Sequence, residues 1–449
     1  MLAAAAAGFR NIPYLAGFFF LLYSNTMKFL QTGDLHLGKI FYERSLLEDQ
    51  TAVLDTISAE LTAAHDTDEP YDALLVAGDV YDRAVPPPEA VALFDAFLTE
   101  IRANCPELHV VIIPGNHDSA RRLSFAAGLL DAQNIHLITT PQRITVPVVL
   151  EKKTHGETEC AAIYGLPFLT PGFTGTEAHR QQDMAQEAVS RIAAAHEAAY
   201  AGIPAVLCAH LFARNGVTSD SERLFVGTAE QVAADIFKPF AYTALGHLHS
   251  CQQMSETVWY AGSPLAYSFG EAGAQKYLLR VTLDFGTQTV KETDKQQNAP
   301  MRPEAPAGSA RPAVTVEKIP ITPPRPVVKL SGPFEQFYRD DERRFAGYTD
   351  AYLEISCTDR ALVENPMAQL KPKYPYLLSV LQETAVLDAG TSAIAQRKAL
   401  LESNAPHDAL SEEIFTAFMN DICAELPENF DEEKKAFRET ARELAGGNE

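Results

Sequence analysis

Along the first two thirds of the chain, apolar residues recur in two rhythms. Short apolar runs, the first interrupted by Gln31, occur at 28–32, 73–77, 109–113, 205–209 and 242–245, each followed directly or after one residue by a glycine or polar position. Runs of this length with little internal alternation fit strands buried on both faces. Between them, 44–64 and 89–103 space their apolar residues three and four apart, and 178–201 is rich in Ala and Gln. These three segments predict helices. Strands alternating with helices predict an α/β domain running from 27 to about 285.

The pattern then changes. Segment 287–312 is rich in Pro, Gln, Thr and Lys, lacks apolar periodicity and reads as a flexible loop or insertion. A strand-like stretch at 313–322 precedes Pro323, Pro324 and Pro326. A small domain is expected over 327–387, with strands near 327–330 and 352–356. From 388 to 449 the chain reads as helical and acidic. Phe430, Phe437, Ala441 and Leu444 fall on one helical face, and Gly446 and Gly447 end it.

At the other end, 12–23 is largely apolar and follows a single charge, Arg10. A secretory signal and a start placed upstream of the true one both produce this pattern. Met27 opens directly into a strand, so we read 1–26 as an upstream start and expect a cytoplasmic protein. About a dozen apolar residues are too few to span a bilayer, and no membrane association is expected.

With 449 residues, the chain is too long for one ordinary core, and two or three domains are expected. Its formal net charge of -22 does not advertise a polyanion-binding surface. Any nucleic-acid contact must be local, metal-assisted or shared with a partner. Cys105, Cys160, Cys208, Cys251, Cys357 and Cys423 form no CxxC pair, so neither a thiolate zinc site nor a disulfide framework is expected. Cys208 sits within an apolar run and reads as a buried thiol.

Each of the five strand candidates runs into a polar motif. In order these are Gly33-Asp34-Leu35-His36, Gly78-Asp79-Val80-Tyr81-Asp82, Gly115-Asn116-His117-Asp118, Ala209-His210 and Gly246-His247-Leu248-His249. Open α/β sheets bind ligands beyond the carboxyl ends of their strands. Alone, each fragment has a plain structural explanation: a surface triplet, a capping Asp in a turn, a satisfied core histidine. Five in series, all at strand ends and all rich in Asp, Asn and His, point to a metal centre. The seven remaining histidines, His65, His155 and His407 among them, read mostly as surface residues.

This ordered series resembles the calcineurin-like metallophosphoesterases. The flanking text Thr32–Gly38, Val76–Asp82, Pro86-Pro87, Gly262-Ser263-Pro264 and Ile319–Thr322 looks like the D-type nuclease subunits of SbcCD complexes. The resemblance covers 27 to about 330. It implies a metallophosphoesterase β-sandwich flanked by helices, a nuclease domain over 27–326, a small α+β capping domain over 327–387 and a helical partner-binding tail over 388–449. One metal would be held by Asp34, His36, Asp79 and His249, and a second by Asp79, Asn116, His210 and His247, with Asp79 bridging. Carboxylate, amide and imidazole donors suit Mn²⁺ better than Mg²⁺. His117 would be the general acid, oriented by Asp82 or Asp118; related phosphatases favour Asp82.

The same resemblance implies cleavage of DNA, as a duplex exonuclease and a single-strand or hairpin endonuclease. It also implies two copies of this chain and an SMC-like ATPase, the C-type component of SbcCD complexes. The chain has no GxxxxGK[ST] motif, so ATP hydrolysis would belong to that partner. Two rivals remain: a small-molecule phosphodiesterase with the same ligands, and a non-catalytic scaffold, which would not be expected to keep all seven.

Overall fold

The strand β1 (Thr26–Thr32) shows how the domain is layered. Met27 and Phe29 face one core while Leu30, next along the strand, is equally buried but faces the other way. The strands β2 (Ala73–Ala77) and β3 (His109–Ile113) repeat this division. Ala73, Leu75, Ala77, Val111 and Ile113 enter the same core as Met27, whereas Leu74, Val76, Val110 and Ile112 are buried on the opposite face. A strand covered on both sides has no polar face to show, which is why β2 and most of β3 read as continuous apolar segments.

A computed structural model describes residues 25–67, 69–154, 157–175, 178–218, 231–286, 311–340 and 343–382. Segments 1–24, 287–310 and the expected tail at 388–449 lie outside the described residues. Among the described ones, β4 (Ile135–Leu137), β11 (Lys276–Asp284) and β12 (Ala313–Ile321) complete a six-stranded sheet of order β12-β11-β1-β2-β3-β4. Its β1 to β4 are parallel neighbours, while β11 and β12 add antiparallel.

The second six-stranded sheet contains β5 (Val148–Thr154), β6 (Glu157–Leu166), β7 (Ala205–His210), β8 (Tyr242–Gly246), β9 (Gln252–Ser255) and β10 (Val258–Tyr260), in the order β9-β10-β8-β7-β6-β5. Ala162, Tyr164, Val206, Cys208 and Ala244 from this sheet share one core with Met27, Phe29 and Leu75 of the first. The two sheets therefore form a sandwich. One polar group bridges it: Gln31 Nε2 donates to the carbonyls of Leu245 (3.2 Å) and Trp259 (3.1 Å), and its Oε1 accepts from Tyr242 Oη (2.5 Å). Every polar atom of this fully buried amide is paired, so the link costs little desolvation.

Helices α1 (Leu47–His65) and α2 (Pro88–Asn104) pack on one another and bury Val53, Leu54, Ile57 and Leu61, and Phe94, Phe97 and Ile101. Helix α3 (Gln181–Tyr200) adds Met184, Ala188, Val189 and Ile192 to the sandwich core. Among the described residues, no helix is long and apolar enough to cross a membrane.

Among the described residues, a second compact unit comprises 329–340, 343–349 and 353–382. Its three strands are β13 (Val327–Gly332), β14 (Tyr352–Cys357) and β15 (Leu377–Gln382), in that order. Phe337, Leu353, Ile355, Leu370 and Tyr374 fill its small core, and Tyr374 Oη donates to the Phe337 carbonyl at 3.1 Å.

Candidate metal centre

The loops leaving β1 and β2 are zipped together just above the sheet. Asp34 N donates to Gly78 O, His36 N to Asp79 O and Leu37 N to Val80 O, each at 2.9 Å. To turn this way the backbone enters the left-handed region at Asp34, His36 and Asp79, and His247 follows at φ 105°. Four of the seven candidate ligands thus occupy a conformation that L-residues avoid, and local strain of this kind concentrates at functional sites. Gly78, at φ 87°, shows why a glycine precedes the bridging carboxylate. A Cβ there would sit 2.2 Å from His210 Nδ1.

These turns bring together residues spread over more than 200 positions. Asp34, His36, Asp79, His210, His247 and His249 are buried, while Asn116 and His117 are half-buried. Donor atoms of Asp34, His36 and His249 lie within 4.8 Å of one another, as do those of Asp34, Asp79 and His210, and those of His36, Asp79 and His117. Asp34 therefore stands beside both the His249 and the His210 groups. His117, read from sequence as a non-ligand, has a ring nitrogen near His36 and Asp79, and its main-chain N–H donates to Asp79 Oδ1 at 2.8 Å. Asn116 Oδ1 lies 3.0 Å from both His210 Nε2 and His247 Nδ1.

Burial lowers the pKa of His36 to about 4 and of His247 to about 3, and it lowers that of His210 as well. Burial alone would raise Asp79, but His210, His36 and His117 outweigh it and hold its carboxyl below the ordinary range. Near neutral pH, His36, His210 and His247 are thus neutral imidazoles beside the Asp79 carboxylate. His210 Nδ1–H donates to the Ala77 carbonyl at 2.8 Å, which leaves a lone pair on Nε2 facing Asn116 Oδ1. Likewise His36 Nε2 and His249 Nε2 face each other at 3.3 Å. Acceptors converging without enough protons to share are costly, and cations between them turn that cost into coordination. The residues present therefore fit borderline divalent ions held by N and O donors.

Residues 27–214 match the calcineurin-like phosphoesterase family. That stretch is a calcineurin-like phosphoesterase domain, and phosphoester hydrolysis with divalent metals is the chemistry of its superfamily. The match takes in Asp34, His36, Asp79, Asn116, His117 and His210. It ends before His247 and His249, which β8 returns to the same cluster of side chains by pairing in parallel with β7.

Around this centre the structure refines the expected roles. His117 Nδ1 meets the main-chain carbonyl of Asp82 at 3.0 Å. The Asp82 carboxylate instead accepts from Lys39 Nζ at 2.8 Å and lies 3.4 Å from His36 Nδ1. Burial pushes this carboxyl up, but His36 and Lys39 outweigh it and hold it well below the usual range. Asp118 accepts from Val80 N (3.0 Å), Tyr81 N (2.9 Å) and Gly115 N (2.9 Å), clamping two of the site loops together. Burial, then the Asp79 charge, raise its pKa to about 7. Cations beside Asp79 would cancel the second cause.

Several neighbours are invisible in the sequence. Phe168 stacks on His247 at 6.0 Å, Tyr267 lies edge-on to His36 at 5.2 Å, and Glu271 meets His249. The text around Gly262-Ser263-Pro264 is the available signal for the last two. The reading of the other histidines needs correction. His136 is buried, its Nδ1 2.6 Å from Asp131 Oδ1 and its Nε2 3.0 Å from His109 Nδ1, and His196 Nδ1 lies 3.1 Å from Tyr164 Oη. Partners that satisfy a ring cannot be read from a lone His in a sequence.

Proposed function

We propose that the chain is a Mn²⁺-dependent DNA nuclease that works with an SMC-like ATPase in DNA repair, recombination and replication. The observation that carries this reading is a set of buried acceptors sharing Asp79, with basic side chains on the segments that follow its motifs. Lys39 and Arg83 flank Asp82, with Arg83 Nε 3.8 Å from its carboxylate. Arg121 and Arg122 line one cavity of about 850 Å³ together with Tyr81, Ala84 and Pro86. On a chain of net charge -22, these Lys and Arg residues, each a few positions after one of the site motifs, would supply the phosphate contacts that the average surface lacks.

Asp34, His36, Asp79 and His249 would hold one ion, and Asp79, Asn116, His210 and His247 the other. Such ions supply Lewis-acid chemistry: activation of water and neutralisation of charge developing on the phosphate. The protein's own groups do the rest. Asp34 accepts from His247 N at 3.0 and 3.1 Å, fixing the last histidine loop against the first. His117, carrying a proton on each ring nitrogen, would donate Nδ1–H to Asp82 O and pass the Nε2 proton to the departing sugar oxygen. The exposed apolar side chains of Phe125 (83%) and Leu129 (77%) suit a contact with a second copy of this chain. The 327–387 segment is assigned to capping the DNA and 388–449 to docking the ATPase.

The deciding experiment compares linear duplex, a hairpin and a chromogenic small phosphodiester, each with Mn²⁺, with and without the co-expressed ATPase. Cleavage of both DNAs is expected, with duplex degradation becoming ATP-dependent in the complex. Turnover of the small ester with no cleavage of DNA under either condition would move the chain to the small-molecule phosphodiesterases.

A further inference from the structure

Behind His249 lies a buried ion pair that the hydrolytic chemistry does not itself use. Glu271 and Lys276 are each 4% exposed, and Lys276 Nζ lies 2.5 Å from Glu271 Oε2. Such pairs add little net stability, since apolar residues of similar size often do as well or better. Stability alone therefore does not account for it.

Its contacts do, because both members reach the same histidine. Glu271 Oε1 lies 3.5 Å from His249 Nδ1, and Lys276 Nζ donates to the His249 carbonyl at 3.0 Å. Ser263 closes the loop. Its N–H donates to that carbonyl at 3.1 Å, and its Oγ accepts from Lys276 Nζ at 3.0 Å. Tyr267 N and Ser268 Oγ donate to Glu271 Oε1 at 3.3 and 3.2 Å, so the carboxylate itself is fixed. The backbone approach is close enough to require glycine at 262. There φ is 78°, and a Cβ would sit 2.6 Å from the His249 carbonyl oxygen.

We propose that Glu271 and Lys276 are positioning residues for the metal centre, acting through His249. Glu271 accepts the Nδ1 proton and so keeps the lone pair on Nε2, the atom 3.3 Å from His36 Nε2. Lys276 balances the carboxylate charge and pins the backbone, so ring tautomer and ring position are set by one buried network. A carboxylate behind a metal-bound imidazole raises its basicity and fixes its orientation, and losing such a partner costs about 10–100-fold in metal affinity. The proposal rests on the reading of His249 as a ligand.

The test is the Glu271→Gln/Lys276→Met double variant, which leaves no buried charge of this pair uncompensated. Mn²⁺ is titrated calorimetrically into the full-length chain, bound metal is counted by ICP mass spectrometry, and melting is followed in EDTA. The expected result is a metal-free melting temperature close to the parent's, with one of two ions bound about 10–100-fold more weakly and the other unchanged. Glu271→Gln alone, which keeps the side-chain shape, should weaken the same ion and serves if the double variant fails to fold. Parent-like affinity for both ions in whichever variant folds overturns the positioning role while leaving the centre intact. A parent chain that binds no Mn²⁺ overturns the ligand reading itself, and this proposal with it.

Discussion

The five strands that feed the metal centre behave differently along their length. In their bodies, Phe29, Leu75, Val111, Val206 and Ala244 are fully buried and regular, and the polar intruder Gln31 has every polar atom paired. At their carboxyl ends, within a few residues, the chain buries Asp34, His36, Asp79, His210, His247 and His249, four of them at positive φ. The strand bodies follow the rules that stabilise a core with two exceptions, the hydroxyls of Thr32 and Thr243, which are buried without a hydrogen-bond partner. The strand ends violate them together, and the violations share one location. A fold that gives up stability at one place shows where its function lies.

The sharpest way to break this contrast is at Asp79. Its carboxylate sits in two of the three donor groups and accepts the His117 N–H. Asp79→Ala should abolish measurable hydrolysis and strip bound metal while the protein stays folded. Asp79→Asn is the stricter partner. Asn tolerates the left-handed backbone and still offers an acceptor to His117, so only the charge is lost. It too should lose activity and metal, read by ICP mass spectrometry beside circular dichroism. Two tightly bound ions in Asp79→Asn would show that the bridging charge is not what holds them.

The next effect separates proton transfer from metal holding. His117→Ala should keep both ions and lose about 10²–10⁴-fold in rate on DNA. The loss should shrink on a nitrophenyl phosphodiester, whose leaving oxygen needs no proton. The proximity of His117 to His36 and Asp79, with ring centroids of His117 and His36 4.7 Å apart, makes the metal count decisive. An ion lost from this variant would place His117 among the ligands.

How much of this is legible in the sequence follows from the physics of each part. Strands at 73–77 and 109–113 can be read to the residue, because burial on both faces leaves an unbroken apolar run. Helices 47–65 and 88–104 can be read to within a few residues from their apolar spacing. The β5–β6 hairpin escapes, since Glu151, Lys152 and Lys153 on an edge strand hide its apolar face. The five motifs are visible because their strand ends are local in sequence. What they touch is not: Glu271 meets His249 across 22 positions, and only the fold closes that distance. The contact of His117 Nδ1 with the Asp82 main-chain carbonyl is also out of reach, since main-chain acceptors leave no mark on side-chain identity.

The smallest effect should appear with pH in the metal-free protein. An unfolded His titrates near 6.5, whereas burial lowers His36 to about 4 and His247 to about 3 in the fold. Between these values the unfolded chain binds protons that the folded chain refuses. Stability therefore falls as pH drops below about 6.5, and the loss from these two groups is complete only below about 3. At full effect His36 alone would contribute roughly 3 kcal/mol. His109, lowered to about 4 by burial and by His136, adds to the same slope from outside the centre. Denaturant titrations in EDTA at about pH 7.5, 6.5, 5.5 and 4.5 should thus give a declining series, shallower in His36→Asn. Bound ions occupy the same lone pairs, so the loaded protein should hold its metal until the rings themselves protonate, well below about 6.5. A metal-free stability that stays flat from about pH 7.5 to 4.5 would mean that the strand ends bury their imidazoles without the desolvation cost that sets them apart from the strand bodies.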